Sequence, residues 1–273
     1  MKNFILKKII ILSFKISIRF LEEFTLLITK KNIIDKSISL LILGYSNRIN
    51  NFARKLKKLA ASIYPYTSLN DTETALSKYA PDLLSNKTFY VEAGANDGIN
   101  QSNTFFLEYL YGAKGVLIEP SPSLFEECRF NRNSNNIFEN CAIGNPSEKN
   151  ETLEFIYSGL MTISTKIENI DPIKHAEIGK KFTNIKPYKF IAPQKKLKDI
   201  LINNKIDHVD LLSLDLEGGE LEALKGADLI GFKYKYILVE CRQKEEMKLF
   251  MKKNGYKIVC ELGILDILFK KFE

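Results

Sequence analysis

The sequence predicts an α/β fold: a mostly parallel sheet covered by helices on both faces, with an antiparallel edge strand and an N-terminal helical extension. Three observations carry this. Short apolar runs such as Phe89-Tyr90-Val91 and Val-Leu-Ile (116–118) are continuous rather than alternating, as in strands buried on both faces. Segments with helical spacing separate them. Four runs end at an acid, namely Glu92, Glu119, Asp215 and Glu240, and carboxyl ends of parallel strands line the ligand crevice of such a sheet.

In chain order, residues 1–70 form a basic segment distinct from the rest. They hold 13 Lys/Arg against 3 Asp/Glu, while the remainder holds 27 against 30. The net charges are therefore +10 and −3, which argues against a nucleic-acid partner for the later domain. Helices are expected near Phe4–Thr29, Asp35–Arg48 and Asn51–Ile63. No apolar span reaches the roughly 20 residues needed to cross a bilayer, and no export signal is expected. Three readings suit this extension: a helical cap or oligomerisation element, an interfacial anchor making peripheral membrane contact through residues 1–60, or, least favoured, a basic arm for nucleic acid. The location expected is cytoplasmic, at most peripheral at the inner face of the membrane. The four cysteines lack zinc-like spacing and are expected to be idle thiols.

Residues 71–273 make up the main domain. Tyr64–Asn70 interrupts the helical pattern and serves as the boundary. A lead-in helix over 72–84 precedes strand one at Phe89–Ala93. Ser102–Tyr111 reads as a helix, Gly115–Glu119 as strand two, Ser121–Asn133 as a helix, and Asn136–Ile143 contains strand three. Thr152–Tyr157 and Tyr188–Ile191 are strand-like around a polar stretch. Leu197–Asn203 is a helix, Val209–Asp215 strand four, Gly219–Lys225 a helix start, and Tyr234–Glu240 strand five. Lys244–Asn254 is a helix, and Tyr256–Cys260 with Ile264–Phe269 closes as a hairpin-like pair.

The chemistry concentrates in two blocks. In Glu92-Ala-Gly-Ala-Asn-Asp-Gly98 a strand runs into a turn containing only Gly94 and Gly98. A dinucleotide grip needs a third glycine for backbone to press on a pyrophosphate. The turn instead suits an adenosine compound with an amino-acid tail, whose ammonium would meet Glu92 or Asp97. S-adenosylmethionine has that shape. Glu119, about two dozen residues on, can accept both ribose hydroxyls. In Asp215-Leu-Glu-Gly-Gly-Glu220 a strand end turns tightly into a helix, and Asp215 and Glu217 face the crevice.

These stretches, with Ser-Asn-Thr-x-x-Leu-Glu (102–108), Gly-Val-Leu-Ile-Glu-Pro-Ser-Pro (115–122), Asn-Cys-Ala-Ile-Gly (140–144) and Ile-Leu-Val-Glu (237–240), resemble the FkbM-type methyltransferases over roughly residues 75–273. The resemblance implies a Rossmann-like methyltransferase sheet, S-adenosylmethionine as cofactor, and transfer to a hydroxyl of a sugar, glycan or related metabolite. It implies that Glu92, Gly94 and Asn96 meet the methionine part and Glu119 the ribose, with Cys141 and Ala142 beside the adenine. Asp215 and Glu217 would border the acceptor. Asp215 is the first candidate base, His175 an alternative, and His208 lies at the wrong end of the sheet. No metal is assigned, and a divalent cation stays an open alternative. If a divalent cation binds, Asp215, Glu217 and Glu240 are its available ligands. The rival functions are a non-catalytic, membrane-tethered binding protein on the same fold and a nicotinamide-dependent oxidoreductase.

Overall fold

The computed structural model describes residues 65–147, 151–167, 170–183 and 186–272, with single helical positions at Phe52, Lys55, Lys58, Leu59 and Ala61. The helices expected over residues 1–50 lie outside the described residues. The chain divides into two compact units, Met1–Ile63 and Tyr64–Glu273. Residues 67–70 are tied to the second unit: Thr67 Oγ1 donates to the Ser102 carbonyl (3.2 Å) and Asn70 Nδ2 to Asp266 Oδ2 (2.9 Å). Among the described residues no helix is long and apolar enough to cross a membrane.

After α1 (Thr72–Tyr79), the second unit alternates strand and helix: β1 (Phe89–Ala93), α2 (Phe105–Tyr111), β2 (Lys114–Ile118), α3 (Pro122–Asn131) and β3 (Ile137–Glu139). An interposed region follows, with β4 (Ala142–Ile143), β5 (Thr152–Tyr157), β6 (Ile163–Ser164), α4 (Pro172–Thr183) and β7 (Tyr188–Lys195). The alternation then resumes through α5 (Leu197–Asn203), β8 (His208–Leu214), α6 (Glu220–Lys225), β9 (Lys233–Glu240) and α7 (Lys244–Lys253). It closes with β10 (Tyr256–Leu262) and β11 (Asp266–Lys271).

The main sheet runs β3-β2-β1-β8-β9-β11-β10. Its first five strands are mutually parallel, and β11 is antiparallel to both neighbours. The antiparallel edge expected from the final strand pair is present, with β10 outermost and antiparallel to β11. The short turn between β10 and β11 forces them to pair as a hairpin, and β11 rather than β10 docks on β9, leaving β10 as the edge.

Strand parity divides the core. Val91, Ala93, Val116, Ile118, Leu212 and Leu214 belong to one buried layer, while Tyr90, Leu117, Leu211 and Leu238 belong to the layer that includes Leu76, Phe106 and Leu107. This alternation follows from the two-residue period of a strand. It matters for the site, because Glu92 shares parity with Tyr90.

The interposed residues form a second sheet, β4-β7-β5-β6. Phe155 stacks on Phe190 across β5 and β7, ring centroids 5.3 Å apart. The polar stretch left without structure in the sequence contains α4. Asp171 caps it, its Oδ1 accepting from the Ile173 and Lys174 amides, with Pro172 at the first helical position.

Candidate active site

A cleft of about 350 Å³ opens at the carboxyl ends of the central parallel strands. The turn after β1 contributes Gly94 and Asn96, and the end of β2 contributes Glu119 and Pro120. Cys141 and Ala142 line it at β4, and Asp215, Leu216 and Glu217 where β8 ends. The second sheet supplies a wall that the sequence did not reveal: Leu153 and Phe155 from β5, and Gln194 from β7.

Gly94 lets the two central turns meet. Its φ is +82°, and a Cβ there would lie 1.9 Å from the Asp215 carbonyl oxygen. Any larger residue would push β1 and β8 apart at the cleft floor.

Glu119 sits just past β2 and is pinned by backbone. Oε2 accepts from the Asn96 amide and Oε1 from the Ser121 amide, both at 2.9 Å. Burial nevertheless pushes its carboxyl up to about 7, because two amide bonds offset only part of the desolvation.

Glu92 and Asp97, expected to meet the ligand's ammonium, stand behind the turn and do not line the cleft. Glu92 points to the opposite face of the sheet from Val91 and Ala93. Its carboxylate accepts from Ser102 Oγ (2.9 Å), the Asn103 amide (2.7 Å) and Thr104 Oγ1 (2.7 Å). Arg132 Nη1 completes the set at 3.1 Å. Asp97 Oδ1 accepts from the Ile99 and Asn100 amides at 3.0 and 2.8 Å, forming the turn itself. Both carboxylates shape the loop; Gly94 and Asn96 present it. Arg132, at the end of α3, was missed in the sequence. It is fully buried and also reaches Glu108 Oε2 (2.7 Å), Tyr90 OH (2.8 Å) and the Gly98 carbonyl (3.2 Å).

The acidic group where β8 and β9 end is gathered as the sequence implied. One carboxylate oxygen from each of Asp215, Glu217 and Glu240 lies within 4.8 Å of the others. Asp215 and Glu240 are hydrogen-bonded to each other. Burial first, then the Glu240 charge, drives the Asp215 carboxyl well above the carboxylate range. Burial raises Glu240 as well, but the bond from Asp215 pulls it back. Asp215, the candidate base, is thus hydrogen-bonded to a second buried carboxyl rather than standing alone.

Glu217 adopts φ +54°, which turns its carboxylate toward Arg242 Nη2 at 2.5 Å and His175 Nε2 at 3.2 Å. Glu220 turns the other way, its Oε1 accepting from the Leu216 and Gly218 amides at 2.8 and 3.1 Å. It fixes the turn, and burial pushes its carboxyl up to about 7. His175 arrives on α4, while exposed His208 sits at the start of β8, bonded to Asp210, at the far end of the sheet.

A model of the methyltransferase FkbM domain matches residues 92–258, more than half of the chain and the whole of this site. The chain belongs to the FkbM methyltransferase family. Among solved structures, methyltransferase FkbM from Methylobacillus flagellatus KT matches with a TM-score of 0.44 and 16% identity, over 68% of this chain. The match spans 44% of that protein's chain. The METTL16 MTase domain matches with a TM-score of 0.41 and 11% identity, over 81% of this chain and 80% of that one. The human methyltransferase 10 domain containing protein matches with a TM-score of 0.38 and 12% identity, over 75% and 82%. No curated protein matches in sequence.

Proposed function

We propose that this methyltransferase uses S-adenosylmethionine and acts on a hydroxyl of a saccharide or related metabolite. The single observation that carries the cofactor reading is Glu119, held by two backbone amides at the cleft floor beside the Gly94 turn. Such a carboxylate is suited to accept both hydroxyls of a ribose. The residues present fit the cofactor in a second respect. Gly94 leaves a cradle that a Cβ would close, and Cys141 and Ala142 border the end suited to the adenine.

When bound, S-adenosylmethionine supplies an electrophilic methyl group on sulfur. The chain's own part is alignment and proton handling. With Glu92 and Asp97 turned away, the amino-acid end falls to Asn96, Asn100 and Gln101, which line the cleft. The Asp215–Glu240 pair borders the acceptor side, where a hydroxyl must lose its proton.

The acceptor class rests on the mixed lining of the cleft, where Lys166, Gln194 and Glu222 stand among Leu153, Leu160 and Ile167. A hydroxylated ring with apolar faces suits that mixture. Calorimetry with S-adenosylmethionine and with NAD tests the reading. Binding of the sulfonium compound alone, lost in Glu119→Ala, supports it. Binding of NAD instead would favour an oxidoreductase, and binding of neither a tethering protein.

A further inference from the structure

The carboxyl groups gathered where β8 and β9 end outnumber the cationic side chains that face them. Three side chains, Asp215, Glu217 and Glu240, converge with oxygens within 4.8 Å. Glu220 adds a fourth carboxylate next to them, its own oxygen spent on backbone amides. Among the described residues, Arg242 is the one guanidinium or ammonium in an ion pair with any of the three, and it reaches only Glu217.

A second, independent feature points to the same spot. His175 is 6% exposed, and its Nε2 makes no hydrogen bond among the described residues, yet lies 3.2 Å from Glu217 Oε2. A buried imidazole nitrogen aimed at the cluster with no hydrogen bond marks a place for a polar occupant that the described residues do not supply. Hard divalent cations take oxygen ligands at about 2.0–2.6 Å, so ligand oxygens around one ion lie within roughly 5 Å of each other. The three carboxylate oxygens meet that limit.

We propose that Asp215, Glu217 and Glu240 bind a hard divalent cation, Mg²⁺ or Mn²⁺, at the acceptor end of the cleft. Arg242 orients Glu217 from one side, and His175 Nε2 faces the cluster from the other. Asp215 and Glu217 line the cleft, so the ion faces the space where an acceptor oxygen would complete its coordination. The site belongs to the apo protein and does not depend on the cofactor reading.

Chelator-treated full-length protein, titrated with Mn²⁺ and followed by electron paramagnetic resonance, tests this. One Mn²⁺ per chain is expected to bind, displaced by excess Mg²⁺. Asp215→Asn and Glu240→Gln should abolish binding, and His175→Ala should weaken it roughly 10–100-fold, as expected when a partner beside the ligands is lost. Glu245→Gln, which removes an exposed carboxylate on α7 that does not line the cleft, should bind as the wild type does. Thermal melts and S-adenosylmethionine titrations of the same samples show whether each variant is folded. Wild-type protein that takes up no Mn²⁺ at millimolar concentration overturns the proposal, whatever the cofactor result. So does Mn²⁺ binding that survives in folded Asp215→Asn and Glu240→Gln.

Discussion

Arg132 Nη1 lies 3.1 Å from Glu92 Oε2, with both side chains closed off from solvent. The guanidinium also pairs with Glu108 and bonds Tyr90, Ser102, Thr104 and the Gly98 carbonyl. One residue at the end of α3 thus fixes the strand, the turn and the start of α2. Removing one partner of such a buried network leaves uncompensated charge, at a cost of about 3–5 kcal/mol. Arg132→Ala is expected to lower Tm by roughly 10 °C in a calorimetric scan. If Tm is unchanged, the network does not hold the loop.

Gly94→Ala tests the meeting of the two central turns. A positive φ costs an L-residue about 1–2 kcal/mol, and a Cβ would also press on the Asp215 carbonyl. The variant should fold with reduced stability and lose S-adenosylmethionine binding in calorimetry. Wild-type affinity would mean that the cofactor does not use this floor.

Much of this was legible in the sequence, and the limits have physical causes. Glu119 stood out because an acid ends an apolar strand and a proline follows, and the structure sets it in the cleft. Glu92 looked equivalent, but β1 continues through Ala93, so parity with Tyr90 sends its side chain to the other face. α4 had a local signal in Asp171-Pro172, a cap followed by proline, hidden by the polar residues around it. The β4–β7 wall and the order of the last two strands depend on pairings between distant segments, which periodicity does not encode. Arg132 had no signal at all, since a lone arginine near a helix end is ordinarily solvated.

Glu119 gives a pH dependence with a defined sign. Its folded carboxyl titrates near 7, above the ordinary 4.5. Between those values the unfolded chain binds fewer protons than the fold, so stability falls as pH rises through that window, by about 3 kcal/mol. Glu119→Gln mimics the protonated acid. In denaturant titrations it should match the wild type near pH 4 and exceed it near pH 8. S-adenosylmethionine binding should run the opposite way, tightening in the wild type from about pH 6 to 8 as the carboxylate ionises, and staying weak and flat in the variant. A stability difference that does not change with pH would remove Glu119 as its source.

Asp215→Asn separates chemistry from architecture at the acceptor end. The amide retains an N–H to donate to Glu240, so the hydrogen bond between the two strand ends survives. The cofactor contacts at Glu119 and Gly94 are untouched. What is lost is a carboxyl that can exchange a proton with the acceptor or hold a cation. Losing general acid–base help typically costs about 10²–10⁴-fold in rate. The variant should bind S-adenosylmethionine with wild-type affinity while single-turnover methyl transfer to the acceptor falls by that order. A normal rate would take Asp215 out of proton handling and leave Glu240, free to accept, as the member of the pair to test next.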